Sequence, residues 1–110
     1  AVMYQKGKYH RTIHRPWLYK LRKLLIWLMA GKPVFIHELQ LEPWGHTAIW
    51  KMTFEEQDRS MSPRQIAANL QAAQKIGACP IDLWGAEWWY WRLRKHHDPT
   101  IWRAVQQNLR

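Results

Sequence analysis

The pattern of apolar and polar positions marks residues 33–45 as the stretch around which the rest of the chain is organised. Residues 34–36 form a short apolar run, with Pro33 before it and the breakers Pro43 and Gly45 after it. A run of this length that contains β-branched and aromatic residues between breakers is typical of a buried parallel strand. Two carboxylates, Glu38 and Glu42, follow where this strand is expected to end. A carboxylate at the end of a buried strand is tolerated when it is paired, and it is a candidate for catalysis.

An amphipathic helix is predicted before this strand. Pro16 suits the first turn of a helix, and Gly31 is the expected stop at its carboxyl end. Between them an apolar stripe recurs at helical spacing, and its members are Trp17, Leu21, Leu24, Leu25 and Leu28. The basic residues of this segment lie off the stripe, so we interpret them mainly as a solvated face.

A second helix is predicted after the central strand, because residues 62–65 have the form of a capping box with proline at the first helical position. The helix is expected to end near Gly77 and to direct Ile66, Leu70 and Ala73 inward. Residues 78–83 are a second strand candidate, in which Pro80 marks the first residues. Asp98, Pro99 and Thr100 open a last helix, whose apolar residues are Ile101, Trp102, Val105 and Leu109.

The remaining segments are predicted to be irregular, apart from a strand end at residues 2–4. Residues 5–15 read as a polar, basic loop, and residues 44–61 read as a long loop without clear periodicity. A loop of that length in a compact domain is more often functional than idle. Short buried strands that alternate with helices imply parallel pairing and right-handed crossovers, so the predicted fold class is α/β.

Composition limits the function classes. The 110 residues are the size of one domain. The net charge of +9 is concentrated at the start, since residues 1–32 hold eight basic residues and no acid. A basic segment raises nucleic acid or an anionic membrane surface as partners, but the acidic excess of residues 33–61 argues against one continuous basic footprint. Cys79 is the single cysteine, which excludes an internal disulfide and a cysteine-based metal site. No apolar run is long enough to span a bilayer, and the cellular compartment is left open.

Two motifs carry a family resemblance. Residues 32–45 read KPVFIHELQLEPWG, and residues 81–91 read IDLWGAEWWYW. They resemble the seventh and eighth strands of retaining glycoside hydrolases of the (β/α)8-barrel superfamily, in their bacterial cellulase-like or β-galactosidase-like members. The resemblance implies a partial (β/α)8 (TIM) barrel with parallel strands alternating with helices, in which residues 1–110 form about the last third of the catalytic domain. Residues 1–5 would then be the end of strand six.

The same resemblance implies roles for individual residues. Glu38 matches the nucleophile, Trp84 matches the platform under the sugar ring, and Tyr4 matches a tyrosine that steadies the nucleophile. Six further residues are candidates for hydroxyl contacts and stacking: Glu42, His37, Gln40, Trp44, Glu87 and Trp88. Retention requires a second carboxylate as general acid/base, and the family carries it on strand four, outside this chain. The expected substrate is a β-linked sugar, and no cofactor or metal is expected.

Three other functions compete with this one. Tryptophan and tyrosine rings beside lysine and arginine side chains suit a small nucleic-acid-binding module, although here the aromatic residues cluster with acids and the basic residues cluster elsewhere. A non-catalytic carbohydrate-binding or interaction fragment is the second alternative. Unpaired strand edges would favour self-association or contact with the missing amino-terminal part of a barrel. A membrane-surface role for the basic helix face is the third.

Overall fold

The computed structural model describes residues 2–5, 8–11 and 15–109, with only the backbone described for residues 2–5 and 9–11. Two short strands come first, β1 (Val2–Gln5) and β2 (Lys8–Arg11). The other elements alternate irregularly between helix and strand: α1 (Pro16–Ala30), β3 (Ile36–Gln40), a 3-10 turn (Ile49–Lys51), α2 (Phe54–Ser60), α3 (Pro63–Ile76), β4 (Ile81–Trp84), α4 (Ala86–Lys95) and α5 (Thr100–Asn108).

The described strands form two separate two-stranded sheets. β3 and β4 pair in parallel, with Gln40 opposite Trp84 and an irregularity in register between Ile36 and Leu39. The predicted parallel pairing of these two strands is therefore confirmed. The predicted α/β class with a partial barrel is wrong, because the described residues form a helix-rich fold whose parallel sheet has only two strands, without the alternating series of strands and helices that a barrel needs. Two strands cannot build the closed, tilted wall that a barrel requires.

The amino-terminal residues also depart from the barrel prediction. β1 pairs antiparallel with β2, and Tyr4 lies opposite Tyr9. Residues 2–5 are therefore a hairpin strand and not the end of a sixth parallel strand, and residues 8–11, which we predicted to lie in a loop, form its partner. The physical reason is local, since a neighbouring segment can pair without the long crossover that a parallel partner needs.

The central strand is shorter and more exposed than its sequence suggests. β3 begins only at Ile36, and the side chain of Phe35 is exposed. His37 and Glu38 within the strand are exposed too, so the prediction of a buried strand is wrong. Among the described strands β3 pairs only with β4, so its other edge is unpaired in this part of the chain, and none of its five residues is fully buried.

Helix α1 forms where it was predicted, and Gly31 ends it in the left-handed conformation at φ 61°. The five residues of its apolar stripe, however, are 44–63% exposed, and no residue of the helix is fully buried. The opposite side contacts α3, to which Lys23 Nζ donates a hydrogen bond of 2.6 Å at the carbonyl of Gly77. Within the described residues, no helix is long and apolar enough to cross a membrane.

Residues 44–61 are not the irregular loop that we predicted. They contain a 3-10 turn and helix α2, which begins with a reciprocal capping box. The Glu56 amide donates to the Thr53 hydroxyl at 3.2 Å, and the Thr53 amide donates to Glu56 Oε2 at 2.9 Å. These two bonds satisfy backbone donors that a helix start otherwise leaves open.

The core lies among α3, α4, α5 and the segment that follows β3. As predicted, α3 begins at the Ser62 cap, ends at Gly77 and buries Ile66, Leu70 and Ala73. These side chains pack with buried residues from the other elements, which are Leu41, Met61, Trp88, Trp89, Ile101, Ala104 and Val105. The Trp89 indole also donates to the Leu41 carbonyl at 2.7 Å, which anchors α4 beside the end of β3.

Candidate functional site

A cleft of about 710 Å³ opens where β4 passes into α4, and we refer to it as the aromatic cleft. Glu87, Trp91 and Lys95 are four residues apart on α4, so they fall on one helix face and line the cleft together. The other residues that line the cleft come from four places: β4 (Trp84), the segment after β3 (Glu42), α4 and its carboxyl end (Trp88 and His96), and the 3-10 turn (Ile49 and Trp50).

Gly85 makes the turn that brings β4 and α4 together at the aromatic cleft. Its φ of 127° is a backbone conformation that residues with a side chain rarely adopt. A Cβ at this position would lie 2.8 Å from the Leu41 carbonyl oxygen and 2.9 Å from the Glu42 Cβ. Glycine therefore allows the start of α4 to approach the backbone that positions Glu42.

Trp84 and Glu42 form the central contact of the aromatic cleft. The Trp84 indole Nε1 donates to Glu42 Oε1 at 2.7 Å, while half of the Trp84 residue surface remains exposed. Burial raises the pKa of Glu42 above its ordinary value; the hydrogen bond from Trp84 opposes this shift, and the negative charge of Glu87 adds to it. The cleft thus combines an exposed, oriented aromatic ring with the carboxyl groups of Glu42 and Glu87.

A buried polar network supports the cleft from behind. Gln57 is fully buried, and its Oε1 accepts from Trp88 Nε1 at 2.9 Å and from Arg92 at 3.4 Å. Its amide nitrogen donates to the carbonyls of Ile49 and Met52, at 3.1 Å in each case. One side chain therefore fixes both the indole of Trp88 and the turn that presents Trp50.

Arg92 extends this network to α2 and to the segment that precedes α5. It is 4% exposed, and its guanidinium lies 4.0 Å from the centroid of the Phe54 ring. It pairs with Asp98 and, at 3.3 Å, with Asp58. Burial alone would raise the pKa of Asp98. Hydrogen bonds from Thr100 and the ion pair with Arg92 lower it by more, so the pKa of Asp98 lies below its ordinary value. This charge pairing allows a guanidinium to be buried under the aromatic cleft.

The structure separates Glu38 from the aromatic cleft. Glu38 lines a different cavity of about 260 Å³, beside Tyr19, Asn69 and Ala72, and its side chain is 62% exposed. Because neither Glu42 nor Glu87 lines that cavity, the predicted nucleophile does not share a cleft with another carboxylate.

The other residues that we predicted from the resemblance fall into four groups. Trp84, Glu42, Glu87 and Trp88 come together in the aromatic cleft. Gln40 lines the Glu38 cavity, and its side-chain amide donates to the Glu42 carbonyl at 3.1 Å. His37 is exposed and contacts Asp82, while Trp44 is exposed outside the cleft. The side chain of Tyr4 lies outside the described part of the chain.

Sequence reasoning missed five residues that line the aromatic cleft: Ile49, Trp50, Trp91, Lys95 and His96. Trp91 and Lys95 follow Glu87 at spacings of four and eight, so a helix prediction for α4 would have found them. Trp50 has no such signal, because its position depends on the 3-10 turn and on Gln57. Among the described residues, no group of three or more histidine, cysteine, aspartate or glutamate side chains could hold a metal ion.

Comparisons with known proteins returned no relative. No protein-family model matches the chain, and it matches no curated protein and no solved structure. The resemblance to glycoside hydrolases therefore has no support from these comparisons. Any function must be argued from the geometry of the aromatic cleft itself.

Proposed function

We propose that the aromatic cleft binds a β-linked carbohydrate, and that the chain acts as the sugar-binding part of a glycoside hydrolase. The observation that carries the proposal is the half-exposed ring of Trp84, which a 2.7 Å hydrogen bond to Glu42 holds in the lining of the cleft. A side chain that is both exposed and oriented is preorganised for a ligand, because little rotamer freedom remains to be lost on binding.

The chemistry of a sugar ring fits the lining of the cleft. One face of a pyranose presents C–H groups that pack against aromatic rings, and its rim presents hydroxyl groups that need hydrogen-bond acceptors and donors. Trp84 and Trp50, which is 70% exposed, offer rings, whereas Glu42 and Glu87 offer acceptors and Lys95 offers a donor. Mostly aromatic walls with a few polar groups are typical of small-molecule sites.

A nucleic acid fits this cleft less well. Stacked bases would suit the tryptophan rings, but the phosphates that accompany them would meet the carboxylates of Glu42 and Glu87. Only Lys95 among the cleft residues carries a permanent positive charge. The local charge therefore favours a neutral, hydroxyl-rich ligand.

In this proposal the chain binds the sugar, and cleavage of the glycosidic bond requires a complete site with two carboxylates. Retaining hydrolysis needs two carboxyl groups about 5–5.5 Å apart, and the resemblance implies that the general acid/base lies outside this chain. The predicted nucleophile, Glu38, does not line the aromatic cleft, and we assign it no part in binding there. Its exposure and its separation from the aromatic cleft support a binding role for the chain alone more than turnover.

Calorimetric titration with soluble β-linked oligosaccharides, of the cellulose and β-galactan types, tests the proposal. We expect Trp84→Ala to weaken binding about tenfold or more, since it removes a stacking ring and the partner of Glu42. Trp44→Ala is the matched control, because Trp44 is exposed to a similar extent but lies outside the cleft. Absence of binding by the unmodified protein, or equal losses in the two variants, would overturn the proposal.

A further inference from the structure

A second cavity of about 710 Å³, which we call the lysine groove, lies between α1, the stretch before β3 and the end of α3. Lys20, Lys23, Lys32 and Lys75 line it, and no carboxylate does. Lys23 donates to the Gly77 carbonyl at 2.6 Å. The other three lysines form no ion pair with any described residue. Three uncompensated ammonium groups therefore face one groove.

The apolar stripe of α1 adjoins the lysine groove, because Leu24 belongs to both. The stripe is on the solvent side of the helix, and just beyond it Met29 is 86% exposed. A contiguous exposed surface of large apolar side chains is rare in isolated soluble domains and marks an interaction site. The apolar surface and the positive groove therefore meet along the side of α1 that carries Leu24.

We propose that the α1 stripe and the lysine groove together dock on an anionic membrane surface, with α1 lying in the plane of the interface. The apolar stripe would enter the boundary between headgroups and acyl chains, and the lysines would contact lipid phosphates. A helix with leucine and tryptophan on one side and lysine beside it is typical of interfacial helices. Trp17 and Trp27, which lie near the two ends of α1 and are both exposed, suit the headgroup level.

Charge complementarity is the argument for this occupant. Residues 15–32 contain five basic residues and no acid, so the whole face is attracted to a negative surface. A nucleic acid would satisfy the lysines but would leave Leu21, Leu25 and Leu28 in water. A membrane surface is the anionic partner that also accommodates apolar side chains. The proposal is independent of sugar binding, because the lysine groove and the aromatic cleft share no residue.

Vesicle flotation tests the docking surface, with vesicles of phosphatidylcholine alone and of equimolar phosphatidylcholine and phosphatidylglycerol. We expect the protein to float with the anionic vesicles only and to be released as salt rises. Cys79 is the single cysteine, is exposed and lines the lysine groove. An environment-sensitive fluorophore attached there should therefore shift to shorter wavelength with the anionic vesicles and not with the neutral ones.

Two variants and one matched control complete the test. Changing Lys20, Lys32 and Lys75 together to glutamine should weaken partitioning about tenfold or more, because each lysine near an anionic surface favours binding. Changing Leu28 and Met29 together to glutamine should weaken it similarly, without loss of helix signal by circular dichroism. The control changes Lys51, Arg94 and Arg103 to glutamine, which removes the same charge from exposed positions elsewhere, and should retain most of the binding.

Four results would overturn the proposal. The first is a failure of the unmodified protein to bind anionic vesicles, and the second is an equal loss in the control triple variant. The third is binding of an oligonucleotide, weakened by the lysine changes, without any vesicle binding. The fourth is self-association in size-exclusion chromatography that the Leu28 and Met29 changes abolish, again without vesicle binding; the stripe would then be an interface between copies of the chain.

Discussion

Trp84 at the end of β4 donates a 2.7 Å hydrogen bond to Glu42, which lies two residues beyond the end of β3. The parallel register, with Gln40 opposite Trp84, brings these two residues to the same end of the sheet. A pair of neighbouring strands is therefore sufficient to bring an aromatic ring and a carboxylate into contact.

A variant that removes only the indole N–H of Trp84 should distinguish the contribution of ring stacking to sugar binding from that of ring orientation. Trp84→Phe retains an aromatic ring but takes the donor away from Glu42, so we expect oligosaccharide affinity to fall about fivefold, less than in Trp84→Ala. The measurement is calorimetric titration of both variants beside Trp44→Phe, which should bind like the unmodified protein. An affinity for Trp84→Phe equal to that of the unmodified protein would show that the hydrogen bond does not orient the ring.

Gly85→Ala should be markedly more destabilising than Gly31→Ala. Both glycines have positive φ, but a Cβ at position 85 meets backbone at 2.8 Å, whereas one at position 31 meets nothing within 4 Å. We expect a loss in the free energy of unfolding of about 3 kcal/mol for Gly85→Ala and about 1 kcal/mol for Gly31→Ala, by urea denaturation. Equal losses would mean that the close approach of Gly85 to Leu41 and Glu42 is not maintained in solution.

Arg92→Met should test the buried network under the aromatic cleft. The change leaves Asp98 without its ion-pair partner and removes the cation that lies over the Phe54 ring. We expect a loss of about 3 kcal/mol in the free energy of unfolding, as is typical when one partner of a buried ion pair is removed. Arg94→Met, two residues along the same helix and exposed, should change stability by less than about 0.5 kcal/mol.

Glu42 should make stability depend on pH in a defined direction. Its folded-state pKa is raised above 4.5, chiefly by burial, so the folded chain holds this proton more tightly than the unfolded chain does. The resulting stabilisation is fully present below pH 4.5 and is lost as pH rises through the folded-state value. Glu42→Gln, which retains an acceptor for Trp84, should therefore gain stability relative to the unmodified protein between about pH 4 and 7. A constant difference between the two denaturation series over that range would contradict the prediction.

The features that the sequence predicts correctly are those with local causes. Helix α3 has a serine cap, a proline at its first position and a glycine after its end, and each of these acts on neighbouring backbone. The capping box of Thr53 and Glu56 was equally readable, and its omission led to the false loop at residues 44–61. The parallel pairing of β3 with β4 was predicted differently, from the presence of helical sequence between two short strands, and α2 and α3 do separate them in the chain.

The features that the sequence does not predict depend on which other elements pack against each helix or strand. The stripe on α1 has the spacing of a packed helix, yet α1 contacts α3 through its other side, which includes Lys23. The motif at residues 32–45 resembles a barrel strand, but among the described strands β3 has a single parallel neighbour. In the candidate site, the residues after the strand ends were found, whereas Trp50 depends on the buried contacts of Gln57 and carries no pattern of its own.

Sugar binding at the aromatic cleft is tested most directly by following the indole N–H signals of isotope-labelled tryptophan in nuclear magnetic resonance spectra during titration with a β-linked oligosaccharide. The nine tryptophans serve as internal controls, since four line the cleft and the others do not. We predict that the signals of Trp50, Trp84 and Trp91 shift in a saturable way while those of Trp17, Trp27 and Trp44 stay unchanged. Shifts confined to Trp17, Trp27 and Trp44, or no shift at any oligosaccharide concentration, would contradict the proposal that the aromatic cleft binds a sugar.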